Sequence, residues 1–160
     1  MSFSIRPGSM SDTSPCVDLW TRVIAARDGS EVAADVARRA RAAFAEPTVR
    51  FAVVGSGPDG FALTITRDDG VALLSRLCVD PTVTSRGLGA ALVADAVEHA
   101  RRAGLQRIEL DVRETNVRAI ALYERAGFTA VSDPWEYDGG DRVVTWSLDL
   151  EPSTPASGCH

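Results

Sequence analysis

The chain has 160 residues, of which 45% are hydrophobic and 24% charged, and its formal net charge is −5 at pH 7. This length favours a single domain whose core needs no disulfide or metal for stability. The negative charge argues against nonspecific binding to nucleic acid or anionic membranes, and no run approaches the roughly 18 apolar residues of a membrane span.

The first part of the chain predicts a short strand at residues 4–6, followed by two helices. Ser14 before Pro15 is a good pair for the N-cap and first position of a helix, and Gly29 is a natural stop. Ser30 is placed to cap a second helix, which Pro47 ends.

Beyond that point the hydrophobic period changes from 3.6 to 2, which indicates strands. Residues 49–54, 61–66 and 71–79 are three such segments, and the turns SGPDG and RDDG separate them. The pattern predicts an antiparallel meander.

The second half predicts a helix, a strand, a short helix and two last strands. The helix runs from Leu88 and ends at Gly104, and the short helix follows Asn116 and ends at Gly127. The last strands are residues 128–131 and 142–150. In the strand between the helices, the apolar residues Ile108, Leu110 and Val112 alternate with the polar residues Glu109, Asp111 and Arg113.

Cysteine and histidine usage argues against several kinds of site. Cys16, Cys78 and Cys159 are odd in number and widely separated, so they predict neither a disulfide framework nor a zinc site. His99 and His160 are the only imidazoles, so we expect no His-based triad and no metal. The N-terminal segment lacks the apolar stretch of a signal peptide, which predicts a cytoplasmic protein.

The segment LCVDPTVTSRGLGAAL has the features of an anion site. A strand ends, a turn with Gly87 and Gly89 follows, and a helix opens whose first N–H groups have no internal partners. The alternative is that both glycines serve only close packing. A Walker loop is excluded by the missing G-K-[ST], and a Rossmann loop by the missing third glycine.

Two motifs together resemble the GNAT superfamily of acyl-coenzyme A-dependent N-acyltransferases. They are VDPTVTSRGLGAALV and NVRAIALYERAGF, and the resemblance extends over about residues 3 to 150. It implies an α/β fold (α+β in some schemes), a mixed sheet of six to seven strands with about four helices, and strands that splay at the coenzyme site.

The resemblance also implies which residues bind acetyl-CoA, the cosubstrate. Thr84 stands where the family motif has Gln or Arg, so one charge-assisted phosphate contact is absent. The implied coenzyme residues are the strand end Leu77, Cys78 and Val79, the loop Thr84, Ser85, Arg86, Gly87, Leu88, Gly89 and Ala90, and the helix residues Asn116 and Tyr123.

Two residues are implied for catalysis. Tyr123 is the candidate general acid beside the coenzyme sulfur. The alternatives are that Tyr123 is a core aromatic and Asn116 an N-cap. Asp111 is the candidate general base, because LDVRETN is similar to the LEVRxxN segment of ribosomal-protein N-terminal alanine acetyltransferases. Asp111 is also consistent with a solvated or ion-paired carboxylate.

The acceptor pocket is implied at Asp28, Trp135, Glu136 and Tyr137. Acids and aromatics there suit a cationic amine, and the alternative is an ordinary polar loop. We therefore expect an N-acetyltransferase that moves an acetyl group to a primary amine of a small molecule or a peptide N-terminus. The alternative is a non-catalytic acyl-CoA-binding domain.

Residues 1–150 are expected to form the enzymatic domain, and residues 151–160 a flexible tail. We expect a monomer or a homodimer that binds neither nucleic acid nor membranes.

Overall fold

The structure, a computed structural model, describes residues 4–83, 87–137 and 140–151, in which four α-helices and eight strands form. In chain order these are β1 (Ile5–Pro7), α1 (Met10–Asp28), α2 (Ala33–Phe44), β2 (Thr48–Val54), β3 (Gly60–Asp68), β4 (Val71–Val79), α3 (Leu88–Arg102), β5 (Arg107–Arg113), α4 (Val117–Arg125), β6 (Thr129–Ala130), β7 (Trp135–Glu136) and β8 (Arg142–Asp149). The predicted tail lies outside these ranges from residue 152 onward.

The strands form one mixed sheet in the order β1-β2-β3-β4-β5-β8-β6, and β7 pairs with β8. All neighbouring pairs are antiparallel except β4 and β5, which are parallel. The predicted fold class is confirmed, with eight strands among the described residues instead of six or seven. The additional strand is β7, which is only two residues long and therefore shows no alternation in the sequence.

Helices cover both faces of the sheet. On one face, α1 and α2 pack through residues such as Leu19 and Ala43. On the other face, Leu92 and Val93 of α3 and Tyr123 of α4 pack on the alternate side chains of the sheet. Strand β3 is consequently buried on both faces over Gly60–Ile65, which explains why its residues there are apolar on both faces apart from Thr64.

The start of α1 differs from the prediction. The helix begins at Met10 with Ser9 as its N-cap, and Pro15 lies inside it. The Asp12 carboxylate accepts hydrogen bonds from the Ser9 amide and, through both oxygens, from the Arg6 guanidinium. This capping box satisfies free amides at the start of the helix, so the helix begins before Ser14. Similarly, Ser30 opens a single 3₁₀ turn, Ser30–Val32, and α2 begins only afterwards.

An extra residue in β4 separates this strand from β5. Leu63 of β3 is opposite Arg76, but Thr64 is opposite Leu74, so Ser75 is a β-bulge. The pairing of β4 with β5 extends only over Val71–Leu73 and Arg107–Glu109. Both strands are fully described beyond that point, and they diverge, which confirms the predicted splay.

Among the described residues, no helix combines the length and the hydropathy that crossing a membrane requires.

The packing of α3 on the sheet predicts a large cost for shortening Leu92, which is 0% exposed. Leu92→Ala should lower the free energy of unfolding by about 2–5 kcal/mol through lost burial and a cavity. Val117→Ala is the control, because Val117 is 72% exposed on α4; its effect should stay within about 0.5 kcal/mol. Urea denaturation measures both, and equal losses would contradict the packing described.

Candidate active site

The gap between β4 and β5 leaves backbone N–H groups without a neighbouring strand. The Asp80 amide, directly after β4, donates to the Asp59 carbonyl at 2.8 Å and therefore points toward β3. Because successive amides of a strand point to opposite edges, the N–H groups of Leu77 and Val79 face the gap. They are the donors available to a ligand that enters it.

The N-terminus of α3 supplies a second set of free donors. Gly87 is the N-cap in a left-handed conformation (φ 85°), and the first helical hydrogen bond runs from the Ala91 amide to the Gly87 carbonyl. The amides of Leu88, Gly89 and Ala90 precede that bond, and no side chain among the described residues caps them. This arrangement favours an anion. The predicted phosphate contacts Thr84, Ser85 and Arg86 lie outside the described residues.

Gly87 and Gly89 have different structural roles. The positive φ of Gly87 is one that L side chains rarely adopt, so the turn itself requires glycine. A Cβ on Gly89 would lie 3.4 Å from Cδ2 of Leu122. This is an ordinary van der Waals separation, so Gly89 faces α4 without being required there by packing.

Asn116 lies at the start of α4, and Tyr123 lies on its buried side. Asn116 is the N-cap, and its Oδ1 accepts a hydrogen bond from the Ala119 amide at 3.2 Å. Tyr123 is buried beside Phe128, with ring centroids 5.9 Å apart. Burial raises the pKa of the Tyr123 phenol to about 12, and within the described residues its hydroxyl has no hydrogen-bond partner. The phenol therefore stays protonated at neutral pH.

Asp111 lies on the opposite face of β5, in a network of hydrogen bonds. The Arg67 guanidinium donates to both of its carboxylate oxygens. The Thr145 hydroxyl donates to Oδ1 at 2.7 Å, and it accepts from Nε1 of Trp135 at 3.0 Å. Three of about four acceptor positions of the carboxylate are thus occupied, and one remains on Oδ2.

Asp28 is engaged in ion pairs at the end of α1. Arg113 donates to both of its oxygens, at 3.1 and 2.8 Å, and Arg27 does so at 3.0 and 3.3 Å. The Arg113 hydrogen bonds, with those of Arg27, lower the pKa of Asp28 to about 2. Arg113 also donates to Asp141 at 2.7 Å. In this structure Asp28 connects α1 to β5.

The side chains of the other predicted acceptor residues, Trp135, Glu136 and Tyr137, do not all lie on the same side of the chain. The rings of Trp135 and Tyr137 lie 5.9 Å apart, and Trp135 reaches Asp111 through Thr145. Glu136 lies between them in β7 and is exposed, so strand alternation directs it away from the two aromatics. The structure brings together Asp111, Trp135 and Tyr137, but not Glu136.

The sequence prediction missed two residues on this face, Trp20 and Arg76. The guanidinium of Arg76 on β4 lies 5.2 Å from the ring centroid of Trp20 on α1. The available signal was a single arginine within an otherwise apolar strand end, RLCV. Cys78, two residues later, points to the same face and is buried against Cys16 and Leu19. Burial raises the pKa of the Cys78 thiol to about 12.

Two cavities border α4. One, of about 400 Å³, is a groove between α3 and α4 that starts at Ala90 and passes Leu122. The other, of about 280 Å³, adjoins Asn116 and is lined by three arginines, Arg27, Arg113 and Arg118. Both are close to elements that the resemblance assigns to the coenzyme.

Comparison with known proteins identifies the family. Residues 23–128 match the model of the acetyltransferase (GNAT) family. The chain belongs to the GNAT family. The matched region includes β4, α3 and α4, so it contains the gap, the α3 N-terminus and the buried tyrosine.

Several GNAT proteins are similar to parts of the chain. Mycothiol acetyltransferase of Beutenbergia cavernae is 48% identical over 61 residues, 38% of this chain and 20% of that protein. The [ribosomal protein bS18]-alanine N-acetyltransferase of Escherichia coli is 33% identical over 95 residues, 56% of this chain and 63% of that protein. The chain thus matches less than two thirds of either relative.

Solved structures show the same GNAT fold. The PaiA N-acetyltransferase of Thermoplasma acidophilum, in complex with coenzyme A, gives a TM-score of 0.68 at 20% identity. The match covers 91% of this chain and 98% of that chain.

The ion pairs of Asp28 predict a structural effect that depends on pH. Asp28→Asn should lower the free energy of unfolding at pH 7 by roughly 1–2 kcal/mol. Because the pKa falls from 3.8 to about 2 on folding, the stabilisation is present above the unfolded value and is lost as pH falls through the folded one. The difference from wild type should therefore shrink between pH 4 and about 2.

Denaturant titrations at several pH values measure this difference. Asp18→Asn, at an exposed position of the same helix, is the control and should leave stability unchanged. Unchanged stability of Asp28→Asn would contradict a structural role for Asp28.

Proposed function

We propose that the chain is an acyl-coenzyme A-dependent N-acyltransferase that moves an acetyl group from acetyl-CoA to a primary amine. The observation that supports this most directly is the gap between β4 and β5, where the described residues leave the amides of Leu77 and Val79 without a neighbouring strand. The N-terminus of α3 in this GNAT chain is also uncapped in the described residues. The named relatives are acetyltransferases, and one neighbour was solved with coenzyme A.

The same donors suit the parts of acetyl-CoA. The amides of Leu88, Gly89 and Ala90 would bind the pyrophosphate, since a helix N-terminus favours negative charge. The pantetheine arm has amide carbonyls that can accept hydrogen bonds from the N–H groups of Leu77 and Val79, as the carbonyls of a neighbouring strand do. Asn116, at the start of α4, borders a cavity of about 280 Å³.

The reaction proceeds by direct attack of the amine nitrogen on the thioester carbon. The C–N bond forms, the carbonyl oxygen gains negative charge, and a backbone N–H at the gap stabilises it. The C–S bond then breaks, and the thiolate takes a proton from Tyr123, which burial keeps protonated. Cys78 is no candidate for a covalent intermediate, because its thiol is buried under α1 with a raised pKa.

The attacking amine must also lose a proton. We propose that Asp111 accepts it through one water, at the oxygen position that Arg67 and Thr145 leave open. The network that surrounds Asp111 also fixes Trp135 on the acceptor side. Both a small amine and a peptide N-terminus are compatible with this chemistry.

The anion site at α3 predicts that a carboxylate there will weaken coenzyme binding. Ala90→Glu places a negative charge in the first turn, which stabilises a helix by about 0.3–1 kcal/mol but repels phosphate. We expect the Kd of coenzyme A to rise on the order of tenfold or more, with no loss of stability in the free protein. Ala34→Glu in the first turn of α2 is the matched control and should not alter the Kd.

Calorimetric titration and thermal shift with coenzyme A measure these effects. Equal affinity of Ala90→Glu and wild type would overturn this location for the phosphates, and no binding at millimolar coenzyme A would overturn the proposed function.

The role of Tyr123 predicts a separation of catalysis from binding. Tyr123→Phe removes only the hydroxyl, so thiol release from acetyl-CoA with an amine should fall about a hundredfold or more. The Kd of coenzyme A should stay near the wild-type value. Phe128→Leu perturbs the same packing but keeps the hydroxyl, and its turnover should fall much less. Similar losses in both variants would mean that Tyr123 acts through packing.

A further inference from the structure

Arg76 is exceptional among the arginines near the gap. It directly follows the Ser75 bulge and directly precedes Leu77, whose amide faces the gap. The bulge turns Arg76 toward α1, away from the face to which Leu74 contributes. Arg76 therefore lies on the same face as Asp111, beside the expected position of the thioester.

No carboxylate pairs with Arg76 among the described residues. Its Nη1 donates to the Ser75 carbonyl and hydroxyl, each at 2.9 Å. Its Nε is buried and has no hydrogen-bond partner in the described part of the chain. By contrast, Arg67 contacts Glu109 as well as Asp111, and Arg113 contacts two aspartates. A buried donor without a partner is costly, so an acceptor near this guanidinium would be stabilising.

The surroundings of Arg76 are aromatic and cationic. Trp20 packs on the guanidinium, and Tyr137 and Arg39 are close enough to act on it electrostatically. Burial lowers the pKa of Arg76, because the guanidinium loses contact with water. A bound anion would stabilise the charged guanidinium in place of that water. Asp28, which was expected to attract a cationic acceptor, and Asp111, the proposed base, are already paired with arginines.

We infer that Arg76 binds a carboxylate of the acceptor, so that the amine substrate is a free amino acid with an apolar or aromatic side chain. This inference rests on the proposed function and selects between the two acceptor classes that it leaves open. With Nη1 engaged by Ser75, Nη2 is the group that would donate charge-assisted hydrogen bonds to this carboxylate. A peptide N-terminus has a neutral amide at the corresponding position. The aromatic rings of Trp20 and Tyr137 provide apolar contact for the side chain.

The test compares matched ligands and requires no turnover. N-acetyl-L-leucine and N-acetyl-L-phenylalanine, the products of such a reaction, are titrated calorimetrically into protein saturated with coenzyme A, beside their carboxamides. The acids should bind on the order of tenfold to a hundredfold more tightly than the amides. Arg76→Gln should abolish this preference, and Arg76→Lys should retain part of it. Arg38→Gln, on the exposed face of α2, is the control and should retain all of it.

The inference is overturned if the carboxamides bind as tightly as the acids, or if neither binds. It is also overturned if Arg76→Gln still prefers the acids to the carboxamides. The acid-to-amide comparison in wild type decides the matter even if Arg76→Gln does not fold. Failure of the proposed function is separately visible, because coenzyme A is titrated first. If coenzyme A binds and amines without a carboxylate are acetylated best, the proposed function stands and this inference fails.

Discussion

The arrangement of the site depends on one extra residue in β4. The Ser75 bulge bends the strand just after its last pair with β5, so two parallel strands that begin as neighbours separate. Backbone amides buried without partners are costly, which is why sheets rarely leave such a gap empty. Here the gap leaves donors at Leu77 and Val79 for a ligand that offers acceptors of its own. The bulge thus opens the sheet between β4 and β5.

The two faces of the sheet beyond the bulge differ in chemistry. The face under α3 and α4 is apolar, and it positions the α3 N-terminus and Tyr123 by close packing. The other face is polar, and it is organised by arginines that pair with acids from distant strands and from α1. One of these pairs neutralises Asp28, which the sequence suggested for attracting a cation. The charge of Arg76 remains uncompensated within the described residues.

Local patterns predicted the elements near the gap well. The ends of β4 and the start of α3 agree with prediction because alternation, the glycine turn and helical periodicity all indicate the same boundaries. The start of α1 was wrong because two caps compete, and the contact of Asp12 with Arg6 favours the earlier one. Ser30, expected to cap the second helix, instead begins a 3₁₀ turn that precedes α2. These errors arise because contacts with other residues decide where a helix starts, and the local sequence pattern does not specify those contacts.

The sequence by itself determined the family motifs, the N-cap at Asn116 and the alternation of β5, since each depends on residues a few positions apart. Only the tertiary structure decided which groups meet on the polar face. Arg67 and Asp111 are 44 positions apart, and Arg113 and Asp28 are 85 apart. Simple alternation also assigns Arg76 to the face of Leu74, and the bulge reverses that assignment. Pairing register, which no local pattern encodes, therefore decided the electrostatics of the site.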